Sequence, residues 1–181
     1  TAVLQTMLYS KKGDVLQIKD FAPRFAHYDR LFRPFQWFRT ITAVKGDPRI
    51  RLSIRPTFQY NASEGYQTRG SHHLRYCGPH GATWRLTTNY SIQSIAEETS
   101  FLVNEPMYVV FGADESFQNS LSHVSKEFEL KTLKYWQNWC SSICLPVELQ
   151  DPLARAAITL QLMQSDECFA IMSSMTLGIP M

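Results

Sequence analysis

Three pairs of adjacent carboxylates are the first places in this 181-residue chain where chemistry is sought: Glu97-Glu98, Asp114-Glu115 and Asp166-Glu167. Two acids cleave a glycosidic bond when one protonates the leaving oxygen and the other activates water, which needs them facing each other about 5 to 9.5 Å apart. Neighbours in sequence diverge from the backbone, so these read as loop or surface acids and no catalytic residue is assigned. His72-His73, with Cys77 nearby, would begin a metal site only if both rings reached one ion. Adjacent residues on a strand point to opposite faces, so a loop-to-strand junction with polar contacts is expected instead. His27, His80 and His123 are isolated, and no HExxH, GxSxG, P-loop or dinucleotide pattern occurs. The expected site inventory is therefore empty: no catalytic, cofactor-binding or metal-binding residue, and no cofactor.

Arg49, Arg51 and Arg55, with Arg39, Arg75 and Arg85 on other strands, raise the question of a basic sheet face for nucleic acid. Trp37, Trp84 and Tyr90 lie among them and suit base stacking or stacking on sugar rings, although strand aromatics usually pack into a core. The charge distribution argues against nucleic acid as a partner. Residues 1–90 carry fourteen Lys+Arg against five Asp+Glu, a net of +9, while residues 91–181 carry four against eleven, a net of −7. Opposite halves of this kind can neutralise each other inside one fold.

Of the four cysteines, Cys140 and Cys144 have the spacing of helix neighbours, and Cys77 and Cys168 stand apart. They are expected to be small buried apolar side chains in a reducing, cytoplasmic setting. Asn61-Ala62-Ser63 and Asn89-Tyr90-Ser91 fit the glycosylation pattern, which is too short to weigh. With 44% hydrophobic and 19% charged residues the composition is globular. The longest apolar run, around Met107–Phe111, falls far short of the ~20 residues of a membrane helix, and no membrane partner is expected. The chain opens directly in strand-like sequence from Ala2 to Tyr9, so a preceding segment is expected.

The first half has the two-residue period of strands. Leu16 and Ile18 alternate with Gln17 and Lys19 after a turn at Lys11-Lys12-Gly13-Asp14, predicting a hairpin with the first strand. Further strands are predicted over Phe38–Val44, His73–Cys77, Thr83–Tyr90 and Met107–Phe111, the last buried on both faces. The cleanest alternation, Ile50, Leu52 and Ile54 against Arg49, Arg51, Ser53 and Arg55, predicts a half-buried antiparallel strand. No helix is expected before Asp114.

After Asp114-Glu115 the period becomes helical. Leu121, Val124, Phe128, Tyr135 and Trp139 share a face opposite Lys126, Glu127, Lys131 and Lys134, predicting a helix over Ser120–Ser142. A second helix is expected with Asp151 as its cap and Pro152 at its first position. Its residues Leu153, Ala154, Ala156, Ala157, Ile158, Leu160, Leu162 and Met163 are apolar nearly all round, which calls for burial on several sides and for more protein around it.

Several segments resemble the bacterial glucoamylases, glucodextranases and trehalases of glycoside hydrolase family fifteen. They are Asp20-Phe21-Ala22-Pro23-Arg24-Phe25, Leu31-Phe32-Arg33-Pro34, Gly46-Asp47-Pro48-Arg49-Ile50-Arg51, Gly70-Ser71-His72-His73-Leu74-Arg75-Tyr76 and Glu97-Glu98-Thr99-Ser100-Phe101-Leu102. In the helical half they are Tyr135-Trp136-Gln137-Asn138-Trp139 and Arg155-Ala156-Ala157-Ile158-Thr159-Leu160. The sequence departs from that family's pattern at His72, where an asparagine is more usual, at Cys168-Phe169, and in Thr176-Leu177-Gly178-Ile179-Pro180.

The resemblance implies a mainly β fold with C-terminal helices: an antiparallel super-β-sandwich, in part, over 1–115, a linker helix region over 116–149, and the first helix of an (α/α)6 barrel over 150–181. It implies that the chain is a non-catalytic N-terminal part of an inverting α-glucoside hydrolase whose two glutamates and sugar-binding segment lie in the barrel. An α-glucan or α-glucoside is then the partner, through the whole enzyme. The alternative expectation is a stand-alone carbohydrate-binding or protein-interaction β-sandwich module. Oligomeric state is left open, since an exposed barrel helix promotes self-association.

Overall fold

The computed structural model describes residues 1–59, 63–146, 148–165 and 170–173. The chain divides into a larger unit, Val3–Thr132, and a smaller one made of Thr1–Ala2 and the residues from Leu133 onward. The division falls inside the long helix.

The larger unit is built on one seven-stranded antiparallel sheet. Strands β1 (Leu4–Tyr9) and β2 (Val15–Phe21) form the predicted hairpin, with Leu8 opposite Leu16 and Thr6 opposite Ile18. Its turn closes through Ser10, whose Oγ donates to Asp14 and accepts from the Asp14 and Lys12 amides, and Gly13 supplies the left-handed φ of 88°. A side hairpin of β3 (Phe25–His27) and β4 (Arg30–Phe32) turns through Tyr28 and Asp29, both at positive φ.

The long β5 (Gln36–Lys45) pairs with β2 on one side and with β11 (Met107–Ala113) on the other. Beyond β11 come β9 (Thr83–Thr88), β8 (His73–Cys77) and the edge strand β7 (Tyr66–Arg69). The late strand β11 thus inserts into the middle of the sheet. Met107, Tyr108, Val109 and Val110 are all buried, as a continuous apolar run in a central strand requires.

Each sheet face has its own core. On one, Leu16, Ile41, Leu74, Leu86, Met107 and Val109 cluster with Ile92, Ile95 and Val103. On the other, Phe21, Phe38 and Val110 pack with Val124, flanked by Phe117, Leu121 and Phe128. The first turns of the helix α2 (Leu121–Ser142) therefore cover the second face through Leu121, Val124 and Phe128, three residues of the predicted stripe, while its Tyr135 and Trp139 are half-buried in the smaller unit. Thr132 and Ser125 are buried in the same stripe, and the Thr132 hydroxyl accepts a hydrogen bond from the Arg24 amide at 3.2 Å. Ser120 precedes the helix and caps it, its Oγ accepting from the His123 amide.

Four expectations are corrected. Only Arg49–Ile50 of the alternating segment forms a strand, β6, paired with β10 (Phe101–Leu102). Ile50, Leu52 and Ile54 do pack on the first core while Arg49, Arg51, Ser53 and Arg55 are exposed, so the alternation reports which side is buried and not a ladder of hydrogen bonds. A short helix, α1 (Ile92–Ala96), lies in the region expected to be free of helices; Ser91 caps it, accepting from the Ser94 amide. Five residues are too few for a helical period to show.

The third correction concerns α3 (Gln150–Leu162). Its cap position is Leu149 in the left-handed conformation, and Asp151 and Pro152 lie within the first turn. A proline there still forfeits nothing, because the first-turn amides have no intrahelical acceptor. The fourth concerns Cys144, which is exposed just past the end of α2, whereas Cys77 and Cys140 are partly buried; Cys168 falls outside the described residues.

In the smaller unit Trp136 is fully buried and stacks edge-on with Tyr135 and Trp139, and the Arg155 guanidinium donates to the Thr1 carbonyl at 3.1 Å. Along α3 only Ile158 is buried, while Leu153, Leu160 and Leu162 are exposed. No described helix is long and apolar enough to cross a membrane.

Candidate functional site

The carboxylate pairs are taken up by basic and amide partners. Glu98 accepts two hydrogen bonds from Arg55, at 2.7 and 2.5 Å, and Glu97 accepts from Gln93. The Arg55 guanidinium, bound directly to Glu98, holds that carboxyl below its ordinary range. Asp114 accepts from Arg75 Nε at 2.9 and 2.8 Å and from Arg85 at 3.4 Å, while Glu115 accepts from Gln36. Partial burial pushes the Asp114 carboxyl up, but the hydrogen bond and charge of Arg75 and the charge of Arg85 outweigh it and leave it depressed. Asp166-Glu167 lies outside the described residues. Glu98 and Asp114 are thus bound to arginines, and Glu97 and Glu115 to glutamine amides.

The same pairs resolve the charge asymmetry of the chain. Lys19–Glu129, Arg55–Glu98, Arg75–Asp114 and Arg85–Asp114 each join the basic first half to the acidic second half. Arg75 and Arg85 stand directly opposite each other on β8 and β9, an unfavourable like-charge pair that Asp114 bridges. Arg39 is bound by Asp20 at 2.7 and 2.8 Å and lies on the other face of the sheet. The arginines considered as one basic face are therefore split between two faces.

His73 opens β8 while His72 sits in the preceding bend; among the described residues no three His, Cys, Asp or Glu side chains gather. Burial, and then the charges of Arg85 and Arg75, push the His73 imidazole below its ordinary value. Asn89 is committed to the fold, donating to the Pro106 carbonyl and accepting from the Tyr108 amide.

The aromatic residues do come together. Trp37 stands opposite Phe111, Ala113 opposite Trp84, and Trp84 opposite Tyr76. Because facing residues of antiparallel strands share a side, Trp37, Phe111, Trp84 and Tyr76 form a row across four adjacent strands. Trp84 and Phe111 stack with centroids 6.1 Å apart and planes 23° from parallel, and Tyr76 meets Phe111 edge-on at 6.1 Å.

Phe35, three-quarters exposed, lies 5.2 Å from the Trp84 ring, and the Arg39 guanidinium sits 4.4 Å from the centroid of Trp37. A groove of ≈ 490 Å³ runs over this row between Pro34-Phe35 and Pro56-Thr57. A second of ≈ 250 Å³ lies on the other side of Pro56, over Tyr76, with Arg55, Gln67 and Glu98 in its wall. Tyr90 is elsewhere, packed on Phe101 with its hydroxyl on the Glu105 carbonyl.

Of these residues Trp37 and Trp84 were candidates from the sequence; Phe35, Tyr76 and Phe111 were not. Phe111 belongs to a run expected to be buried throughout; it is only partly buried, and the strand register places it in the row between Trp37 and Trp84. No family model, no curated protein and no solved structure matches this chain.

Proposed function

We propose that this chain is the non-catalytic N-terminal part of an inverting α-glucoside hydrolase of the glucoamylase, glucodextranase and trehalase kind. In this reading the seven-stranded sheet belongs to a super-β-sandwich, α2 is the linker helix, and α3 is the first helix of an (α/α)6 barrel that carries the two glutamates. The observation that carries it is the exposure of α3: Leu153, Leu160 and Leu162 lie open along a helix with one charged residue after its first turn. A helix of that composition is stable where neighbours cover it, and a ring of helices is such a cover. The order of the resembling segments, strands first and the Trp-rich and Ala-rich helices last, supports the same reading.

The purified chain should release no glucose from maltooligosaccharides, dextran or trehalose; measurable turnover would overturn the proposal. The coding sequence that follows Met181 supplies the second test. A continuing frame with tryptophan-rich helical segments and two glutamates is expected, and a frame encoding an unrelated domain would refute it.

A further inference from the structure

We propose that the aromatic row Trp37–Phe111–Trp84–Tyr76 is the floor of a binding site for a neutral oligosaccharide. The site lies wholly within Val3–Thr132 and does not depend on the barrel reading, so either can fail alone.

Three features select this class of ligand. The first is shape. Four rings on four neighbouring strands, spaced about 4.8 Å per strand, make an apolar strip about 14 Å long. Ile50, Leu52, Ile54 and α1 pack on this sheet face, and Pro56 lies in the wall of both grooves, the larger over Trp37, Phe111 and Trp84 and the smaller over Tyr76. A pyranose ring has a flat face of C–H groups that lies against an aromatic ring, and a linked series of them matches a strip better than a single deep hole would.

The second is the polar equipment at the two ends. Arg39, bound by Asp20, lies over the Trp37 ring at one end, and Arg55–Glu98 lines the smaller groove beside Tyr76 at the other. Each pair sets a guanidinium, a donor only, beside a carboxylate, an acceptor only. Hydroxyl groups both donate and accept, so they can use the two together. Gln67, opposite Tyr76 on β7, adds an amide with the same dual capacity.

The third is charge. Both arginines are matched by a carboxylate, so the strip presents no net cation. A nucleic acid draws its affinity from unneutralised Lys and Arg, and the described lining of the two grooves holds Arg55 alone among them, paired with Glu98. An apolar floor with a few convergent polar groups is the usual make-up of a small-ligand site. A proline-rich peptide also docks on aromatic grooves, but it has little use for paired donors and acceptors at both ends.

Calorimetric titration of the whole chain with maltoheptaose, cellohexaose and a proline-rich decapeptide tests the proposal. Saturable binding of at least one oligosaccharide, little changed between low and high salt, is the expected result. Trp84→Ala and Trp37→Ala should each weaken it on the order of tenfold. Trp84→Phe should retain most of it, and Trp139→Phe, in α2, should leave it unchanged. Phe35→Ala guards against misfolding of the tryptophan variants, because this exposed ring can be removed without opening the core; it too should weaken binding. Binding of neither sugar overturns the proposal. So does sugar affinity that is unchanged in both Phe35→Ala and folded Trp84→Ala, or binding of the peptide alone.

Discussion

Arg55 and Glu98, forty-three residues apart, are joined by two parallel hydrogen bonds at the wall of the smaller groove. The pair ties the unladdered segment after Ile50 to the second residue past α1. Glu98 holds this position in a left-handed backbone conformation, φ 52°, which is unusual for a residue with a side chain.

The Glu98 carboxyl is depressed below its unfolded value by this bond, so its contribution is present above about pH 4.3 and disappears as pH falls through the lower folded value. Acid unfolding followed by tryptophan fluorescence should therefore show a dependence on this group. Glu98→Gln should flatten the low-pH part of the profile; an unchanged profile would show that the ion pair does not contribute.

His73 has the opposite chemistry. Its imidazole is held below the ordinary value by burial and by the charges of Arg85 and Arg75, so the unfolded chain binds the proton more readily. Stability should fall as pH drops through about 6.5 and level off below the folded value. Replacing His73 with Gln should remove that step from a series of urea melts between neutral and mildly acid pH.

Asp114 lies between Arg75 and Arg85, which face each other across the sheet. Asp114→Asn leaves two like charges unbridged and should cost about 1 kcal/mol, read as a lower urea midpoint with unchanged slope. Added salt should shrink the difference by screening the repulsion.

Gly112 on β11 lies so close to the Phe35-Gln36 backbone that a Cβ would overlap the Phe35 carbonyl oxygen. That carbonyl also accepts the Ala113 amide, so it has little room to retreat. Gly112→Val should destabilise by about 1 to 3 kcal/mol and displace Phe35 from the Trp84 ring. Thermal melts give the first effect, and near-ultraviolet circular dichroism of the tryptophans reports the second.

Along α3 the burial pattern separates two kinds of substitution. Ile158→Ala removes its buried side chain and should cost about 2 kcal/mol or more. Leu160→Lys on the open side should change stability by less than about 0.5 kcal/mol while lowering the fluorescence of a hydrophobic dye. A large loss at Leu160 in the isolated chain would mean that this side is covered.

Local order was readable from the residues wherever it rests on local physics. The β1–β2 hairpin follows from alternation and a Gly-containing turn, and α2 from an apolar stripe opposite a charged face. The alternation of Ile50, Leu52 and Ile54 correctly marks the side that is buried. It misleads about strand formation because a two-residue period encodes the direction of side chains and says nothing of whether a hydrogen-bonding partner runs alongside. The short helix α1 escaped for the complementary reason, being too brief to complete two turns.

What only the tertiary structure decided is which strands are neighbours. β11 enters between β5 and β9, and that single insertion sets Phe111 beside Trp37 and Trp84 and extends the row to Tyr76. It also brings Asp114 to Arg75 and Arg85. The sequence by itself determined the alternation, the turns, the stripe of α2 and the opposite charge of the two halves, all of which rest on short spacings or composition. The aromatic row depends on register between segments far apart in the chain, and register is chosen by the summed packing of both sheet faces, a quantity no single segment contains.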